Sequence, residues 1–173
     1  MRKTVRKWFW VWDFDKEEQW LNEMAAKGLA LIGTGFCRYD FEDCTPGEYQ
    51  VRLELLENHL NHAESQKYIQ FIESTGAEQV GNYFRWVYFR KKTAEGPFDL
   101  YSDLDSRISH LEKIARLLLI ITVINVGVGV MNSYNPFVHL GWINLLCAAL
   151  LTYGLGRIHG KKEALEKERR FRE

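Results

Sequence analysis

Asp13, Asp15, Glu17 and Glu18 set four carboxylates within six positions. A calcium loop would need a turn glycine and a distal bidentate Glu at fixed spacing, and this run has neither. The acids fall where a helix begins, where carboxylates favour the positive end of the helix dipole. A helix start is therefore the expected role. His59 and His62 lie three apart beside Asn58 and Asn61, so two imidazoles would share one helical turn. No Cys or second His pair completes a zinc set, which leaves a polar loop and a helix start. Cys37, Cys44 and Cys147 show no CxxC spacing and are expected as free thiols. GxSxG, P-loop, GxGxxG and HExxH motifs are absent from the sequence. No catalytic residue, metal site or cofactor is assigned, and the chain is expected to be no enzyme.

Aromatic residues are the remaining candidates. They make up 14% of the chain, and Trp8, Trp10 and Trp12 alternate within five positions. Read as a strand, Trp8–Trp12 turns its three tryptophans to one side and Phe9 and Val11 to the other. Trp86 and Tyr88 alternate in the same way. Two helices cover only one face of a four-stranded sheet, so these five residues are expected to bind a protein partner or a second copy of the chain, unless the chain covers them itself. Direct nucleic-acid binding is not expected. Net charge is zero, and Glu48–Glu57 lacks the basic–aromatic pattern that stacks bases.

The elements that must position these residues follow from periodicity and turn signals. After the Trp8–Trp12 strand, Trp20, Leu21, Met24 and Ala25 make a helical stripe that Gly28 ends. Leu29–Phe41 reads as a strand, Thr45–Gly47 as a turn and Tyr49–Leu55 as a half-buried strand. A second helix over His62–Thr75 ends at Gly76, and Val80–Arg90 is a fourth strand. The order βαββαβ is that of a ferredoxin-like α+β domain, placed at residues 1–92. A shift of 48 positions lays Trp20 on Tyr68, Gly28 on Gly76, Gly33 on Gly81 and Phe36 on Phe84, a mark of internal twofold symmetry. A linker and stalk helix follow at 93–116, opening near Ser102 with Asp105 as its capping-box partner.

Mean hydropathy is only −0.30, but apolar and charged residues are segregated. From Leu117 to Gly156 there is no Asp, Glu, Lys or Arg, and the run is broken once, at Asn132–Pro136. Each half has about the 20 residues that cross a bilayer as helix. Residues 117–156 are thus expected to form a two-span transmembrane hairpin, with a charged helix at 157–173. Lys113, Arg116, Arg157, Lys161 and Lys162 flank it and the turn carries no cation, which places both termini in the cytoplasm. Tyr134, His139 and Trp142 lie near the outer interface. Thr122, Asn125, Asn144 and Thr152 need partners inside lipid, and Gly127 and Gly129 permit close helix approach.

Lys7-Trp8-Phe9, the run EQWLNEMAAKG at Glu18–Gly28, Tyr39-Asp40-Phe41, Gly76 and WVYFRK at Trp86–Lys91 resemble a family of uncharacterised bacterial membrane proteins. Residues 3–110 carry the resemblance. Leu29 and Ala77 depart from it, since the family has Trp after each capping glycine. Members are often encoded beside PadR-type transcriptional repressors, and the family supplies no activity or site residues. The resemblance implies a membrane-tethered regulatory or partner-binding protein acting with such a repressor. The alternative is an accessory subunit of a membrane transporter or enzyme complex.

Overall fold

The computed structural model describes residues 2–101, 103–134 and 140–172. The chain divides into two compact units, Met1–Ser102 and Asp103–Glu173.

The first unit is mixed α+β. It comprises β1 (Arg2–Arg6), α1 (Phe14–Ala26), β2 (Leu29–Gly35), β3 (Arg38–Asp43), β4 (Tyr49–Leu55), α2 (Ala63–Ser74), β5 (Glu78–Tyr83) and β6 (Trp86–Lys92). The strands form two antiparallel three-stranded sheets, ordered β1-β3-β2 and β4-β6-β5. This replaces the single four-stranded sheet of a ferredoxin-like fold. Leu29–Phe41 and Val80–Arg90 each fold back into a hairpin across a two-residue loop, Phe36-Cys37 and Phe84-Arg85. The first strand is Arg2–Arg6, whereas Trp8–Trp10 is irregular and Val11–Asp13 is a 3-10 turn. Alternating rings mimic a strand, but β1 exists because it pairs with β3 from Arg2↔Glu42 to Arg6↔Arg38. As an exposed edge it carries the cations Arg2, Lys3 and Arg6, with Val5 its one apolar residue, a pattern that discourages strand addition.

The unit is a duplication of strand–helix–strand–strand. Each element of the first half, moved by 48 positions, falls on its counterpart in the second. Gly28 and Gly76 end the helices with φ of 82° and 91°, a backbone region that disfavours any side chain. Both β2 and β5 carry a register shift, between Leu31 and Gly33 and between Gln79 and Gly81.

Where β2 and β5 approach each other, the halves differ. A Cβ on Gly81 would stand 2.9 Å from the Thr34 backbone nitrogen, whereas one on Gly33 would meet Asp40 at an ordinary 3.6 Å. Arg90 fastens this junction. Its Nη1 donates to the Leu31 carbonyl and to Glu42 at 3.0 Å each, and its Nε donates to Glu78 at 2.9 Å. Glu42 is the 48-shift counterpart of Arg90, so one position carries opposite charges in the two halves. Leu21, Leu31, Phe41, Leu53 and Leu55 are buried, and α2 closes a second cluster over Leu56, Val87 and Phe89.

The second unit is α3 (Leu104–Tyr134) packed antiparallel on α4 (Gly141–Arg172). Both helices are long and apolar enough to cross a membrane. Ser102 and His139 lie outside the described residues. Asp103 caps α3, accepting from the Ser106 N–H at 2.7 Å. Buried Leu118, Thr122, Gly129, Gly141, Ala148 and Ile158 hold the pair together. Both helices continue past the apolar run, and Glu112–Lys162 and Asp105–Arg169 pair across their charged ends at 2.6 Å.

Candidate functional site

The two hairpin loops of the duplication bring aromatic rings to the surface. Trp8 meets the edge of Trp10 at 5.2 Å and of Phe36 at 5.8 Å, and Phe36 meets Tyr83 at 5.9 Å. Phe84 follows Tyr83 with φ of 57° and takes the edge of His59 at 5.7 Å. Trp8 is 53% exposed, Phe36 66% and Phe84 59%. Monomeric domains rarely leave so many contiguous large apolar side chains in water. The Lys7 N–H donates to the Cys37 carbonyl, which ties the Trp8 segment to the first hairpin loop.

The five residues singled out from the sequence therefore separate. Trp8 and Trp10 are on this surface. Trp12 stacks on Trp10 at 4.9 Å with its ring buried. Trp86 is also buried, stacked on Phe14 at 5.8 Å, and Tyr88 is an interior residue. Their alternation put all five on one face, whereas β6 turns Trp86 and Tyr88 inward and the 3-10 turn folds Trp12 under Trp10. Phe36, Tyr83 and Phe84 were missed, although the 48-position shift laid Phe36 on Phe84.

The acidic run opens α1 as expected, with Asp15 and Glu17 in its first turn, and Glu17 and Glu18 also reach into the fold. Glu17 is buried, and its Oε1 accepts from the Tyr39 hydroxyl at 2.8 Å and the Tyr88 hydroxyl at 2.6 Å. Burial raises its pKa, and the two tyrosine bonds only partly offset that rise. Glu18 Oε2 accepts from the Leu53 N–H at 3.0 Å, and Asn22 brackets Val51, accepting its N–H at 2.9 Å and donating to its carbonyl at 3.0 Å. Both side chains lie along the edge of β4 that β6 leaves unpaired. Position 17 is one turn before buried Leu21, and 18 is one turn before Asn22, so helical spacing was the available signal. Asp13 pairs with Lys16 at 2.9 Å. His62 caps α2 through the Glu64 N–H at 3.3 Å. Cys37, Cys44 and Cys147 are free. Among the described residues no three His, Cys, Asp or Glu side chains gather as metal ligands.

A cleft of about 450 Å3 lies beside the junction, with Gly33, Arg38, Asp40, Glu42, Glu78 and Arg90 in its wall. Its carboxylates are engaged internally. Asp40 takes the Thr4 hydroxyl at 2.6 Å and Arg38 at 2.8 Å, which hold its pKa below the usual value, while Glu42 and Glu78 take Arg90. The cleft is a seam of ion pairs between the halves.

In the second unit the polar groups singled out for the membrane meet their partners locally. Thr122 and Thr152 return their hydroxyls to the carbonyls of Leu118 and Ala148 at 2.8 Å. Asn125 donates to the Ile121 carbonyl at 2.8 Å and accepts from Asn144 at 3.4 Å. Gly129 packs under Leu145 and Asn144, whereas a Cβ on Gly127 would touch nothing within 4 Å. Gly127 is thus outside the contact between the two helices.

The chain is an α+β domain joined to a pair of apolar helices of membrane-spanning length. A model described as "Protein of unknown function (DUF2812)" matches residues 13–123, and the chain belongs to that family. The match runs from the acidic start of α1 into α3 and takes in Phe36, Tyr83 and Phe84, but not Trp8 or Trp10. No curated protein and no solved structure matches the chain.

Proposed function

We propose that this chain is a membrane-tethered, non-enzymatic partner-binding protein whose soluble unit faces the cytoplasm and holds a protein on its aromatic surface. The carrying observation is the row of exposed rings Trp8, Trp10, Phe36, Tyr83 and Phe84. Aromatic anchors supply most of the energy of protein interfaces. The partner is a soluble regulator, and the family resemblance points to a PadR-type repressor. The test is co-purification of the full-length chain from detergent with a repressor encoded beside it. Trp8→Ala with Phe36→Ala is expected to weaken capture at least tenfold while leaving the unfolding midpoint of the chain within a few degrees. Capture that survives both changes, or that never occurs, would rule out this surface as the docking site.

An accessory role in a membrane complex is the second reading. It is favoured by Gly127 and Gly156, whose Cβ positions are open and would admit a further helix. Replacing the hairpin by an unrelated one separates the two readings. It abolishes function under the second and spares repressor capture under the first.

A further inference from the structure

The aromatic surface has a charged border of one sign. Residues 2–7 carry Arg2, Lys3, Arg6 and Lys7 and no carboxylate, and Trp8 follows directly. On the neighbouring strand, β3 opens at Arg38, two residues after Phe36. Side chains alternate along a strand, so Arg2, Thr4 and Arg6 share one face of β1. Their cross-strand partners are Glu42, Asp40 and Arg38. Arg6 thus stands directly opposite Arg38, a like-charge pair that costs stability. The carboxylates of that face are taken. Asp40 accepts from the Thr4 hydroxyl at 2.6 Å and pairs with Arg38 at 2.8 Å, and Glu42 pairs with Arg90 at 3.0 Å. Arg2 and Arg6 make no ion pair among the described residues. The bond from the Lys7 N–H to the Cys37 carbonyl holds the Arg6–Arg38 end of the two strands beside the Trp8–Phe36 contact.

We propose that the protein segment docked on this surface is acidic: its apolar side chains meet Trp8 and Phe36, and its carboxylates meet Arg6 and Arg38. This rests on the reading of the rings as a protein-docking site and adds the chemistry of what docks. Arginine suits a carboxylate because its planar fork can take both oxygens. An isolated exposed ion pair contributes little. Here a carboxylate set between Arg6 and Arg38 also removes a repulsion that the free chain carries. The apolar rings supply affinity, and the cationic border selects among partners by charge.

Two labelled peptides test the charge preference. They share the same Leu anchors and differ only in carrying Glu or Gln between them. Fluorescence anisotropy with the full-length chain in neutral detergent micelles is expected to show the Glu peptide binding at least tenfold more tightly at low salt. High salt screens exposed charges and should shrink that advantage to less than threefold. Arg6→Gln should remove most of the advantage without lowering the unfolding midpoint, since Arg6 gives up no ion pair among the described residues. Equal affinity for the two peptides, or binding of neither, overturns the proposal. So does an advantage that survives Arg6→Gln combined with Arg38→Gln. Single-stranded oligothymidine that binds as tightly as the Glu peptide overturns it too, by marking a surface for nucleic acid. The docking reading fails separately, when Trp8→Ala with Phe36→Ala leaves both peptides bound as before.

Discussion

Glu17 holds a carboxylate where water does not reach, and it does so with two phenols from different halves of the duplication. Tyr39 belongs to β3 and Tyr88 to β6, so one oxygen on α1 joins both. The same burial and the same carboxylate push both tyrosine pKa values up, which keeps the phenols protonated as donors. The folded chain binds the Glu17 proton more tightly than the unfolded chain, whose carboxyl titrates near 4.5. This contribution to stability is therefore complete at low pH and is lost as pH rises from about 4.5 through the raised folded value. A tenfold difference in proton affinity between the two states is worth about 1.4 kcal/mol. Glu17→Gln keeps an acceptor for both hydroxyls and removes the titration. Thermal unfolding between pH 4.5 and 7 should show a shallower decline in the variant than in the parent. Equal slopes would show that the Glu17 proton is not linked to folding.

Strands and glycines act one scale up. The halves share a plan but not a junction, because the Gly81 backbone touches β2 while Gly33 faces a movable side chain. Gly81→Ala should cost roughly 1–3 kcal/mol, as overpacking against backbone does, and Gly33→Ala well under 1 kcal/mol. Chemical denaturation of the two variants side by side distinguishes them, and equal losses would mean that β2 and β5 are not in close contact. From sequence these glycines were visible only as a matched pair. The same offset that matched them maps Tyr49–Leu55 onto residues 1–7 and so already pointed to β1 at Arg2–Arg6. The aromatic alternation of Trp8–Trp12 was the louder signal, because a cationic edge strand has no apolar period to display. The hairpin turns inside Leu29–Phe41 and Val80–Arg90 were hidden for a related reason. Phe36-Cys37 and Phe84-Arg85 are not turn-forming pairs by composition, and Cys37 and Phe84 take positive φ without being glycine. The helices, their glycine caps and β4 were legible, since each follows a local rule. The aromatic surface was half legible, because its Trp8 segment lies far in sequence from the hairpin loops it joins.

At the scale of the whole molecule, α3 and α4 run antiparallel, so their charged ends lie together at one end of the pair and the Ser133–Tyr134 end of α3 at the other. With the cations gathered at the first end, the positive-inside rule sets the orientation of the bilayer reading. A cysteine placed at Ser133 should react with an impermeant thiol reagent added to intact cells, and Cys37 and Cys44 should react only after lysis. Labelling of Cys37 in intact cells would reverse the orientation, and with it the cytoplasmic partner. The uncharged run from Leu117 to Gly156 made the hairpin plain from sequence. The stripe Leu104, Ile108, Leu111 and Ala115 likewise pointed to a stalk helix running unbroken into the first apolar segment, and α3 is one helix over Leu104–Tyr134.

The seal that Asn22 and Glu18 place along β4 sets a timetable for synthesis. Chains emerge N-terminus first, and α1 leaves the ribosome well before Val51 and Leu53, the residues its side chains serve. Until then the amide and carboxylate are solvated by water, and the first half waits with an unfilled socket. The reverse order would have exposed a bare strand edge to other nascent chains, the geometry that invites aggregation. A copy of the second half expressed alone lacks its guard and is expected to self-associate, whereas the first half alone stays soluble.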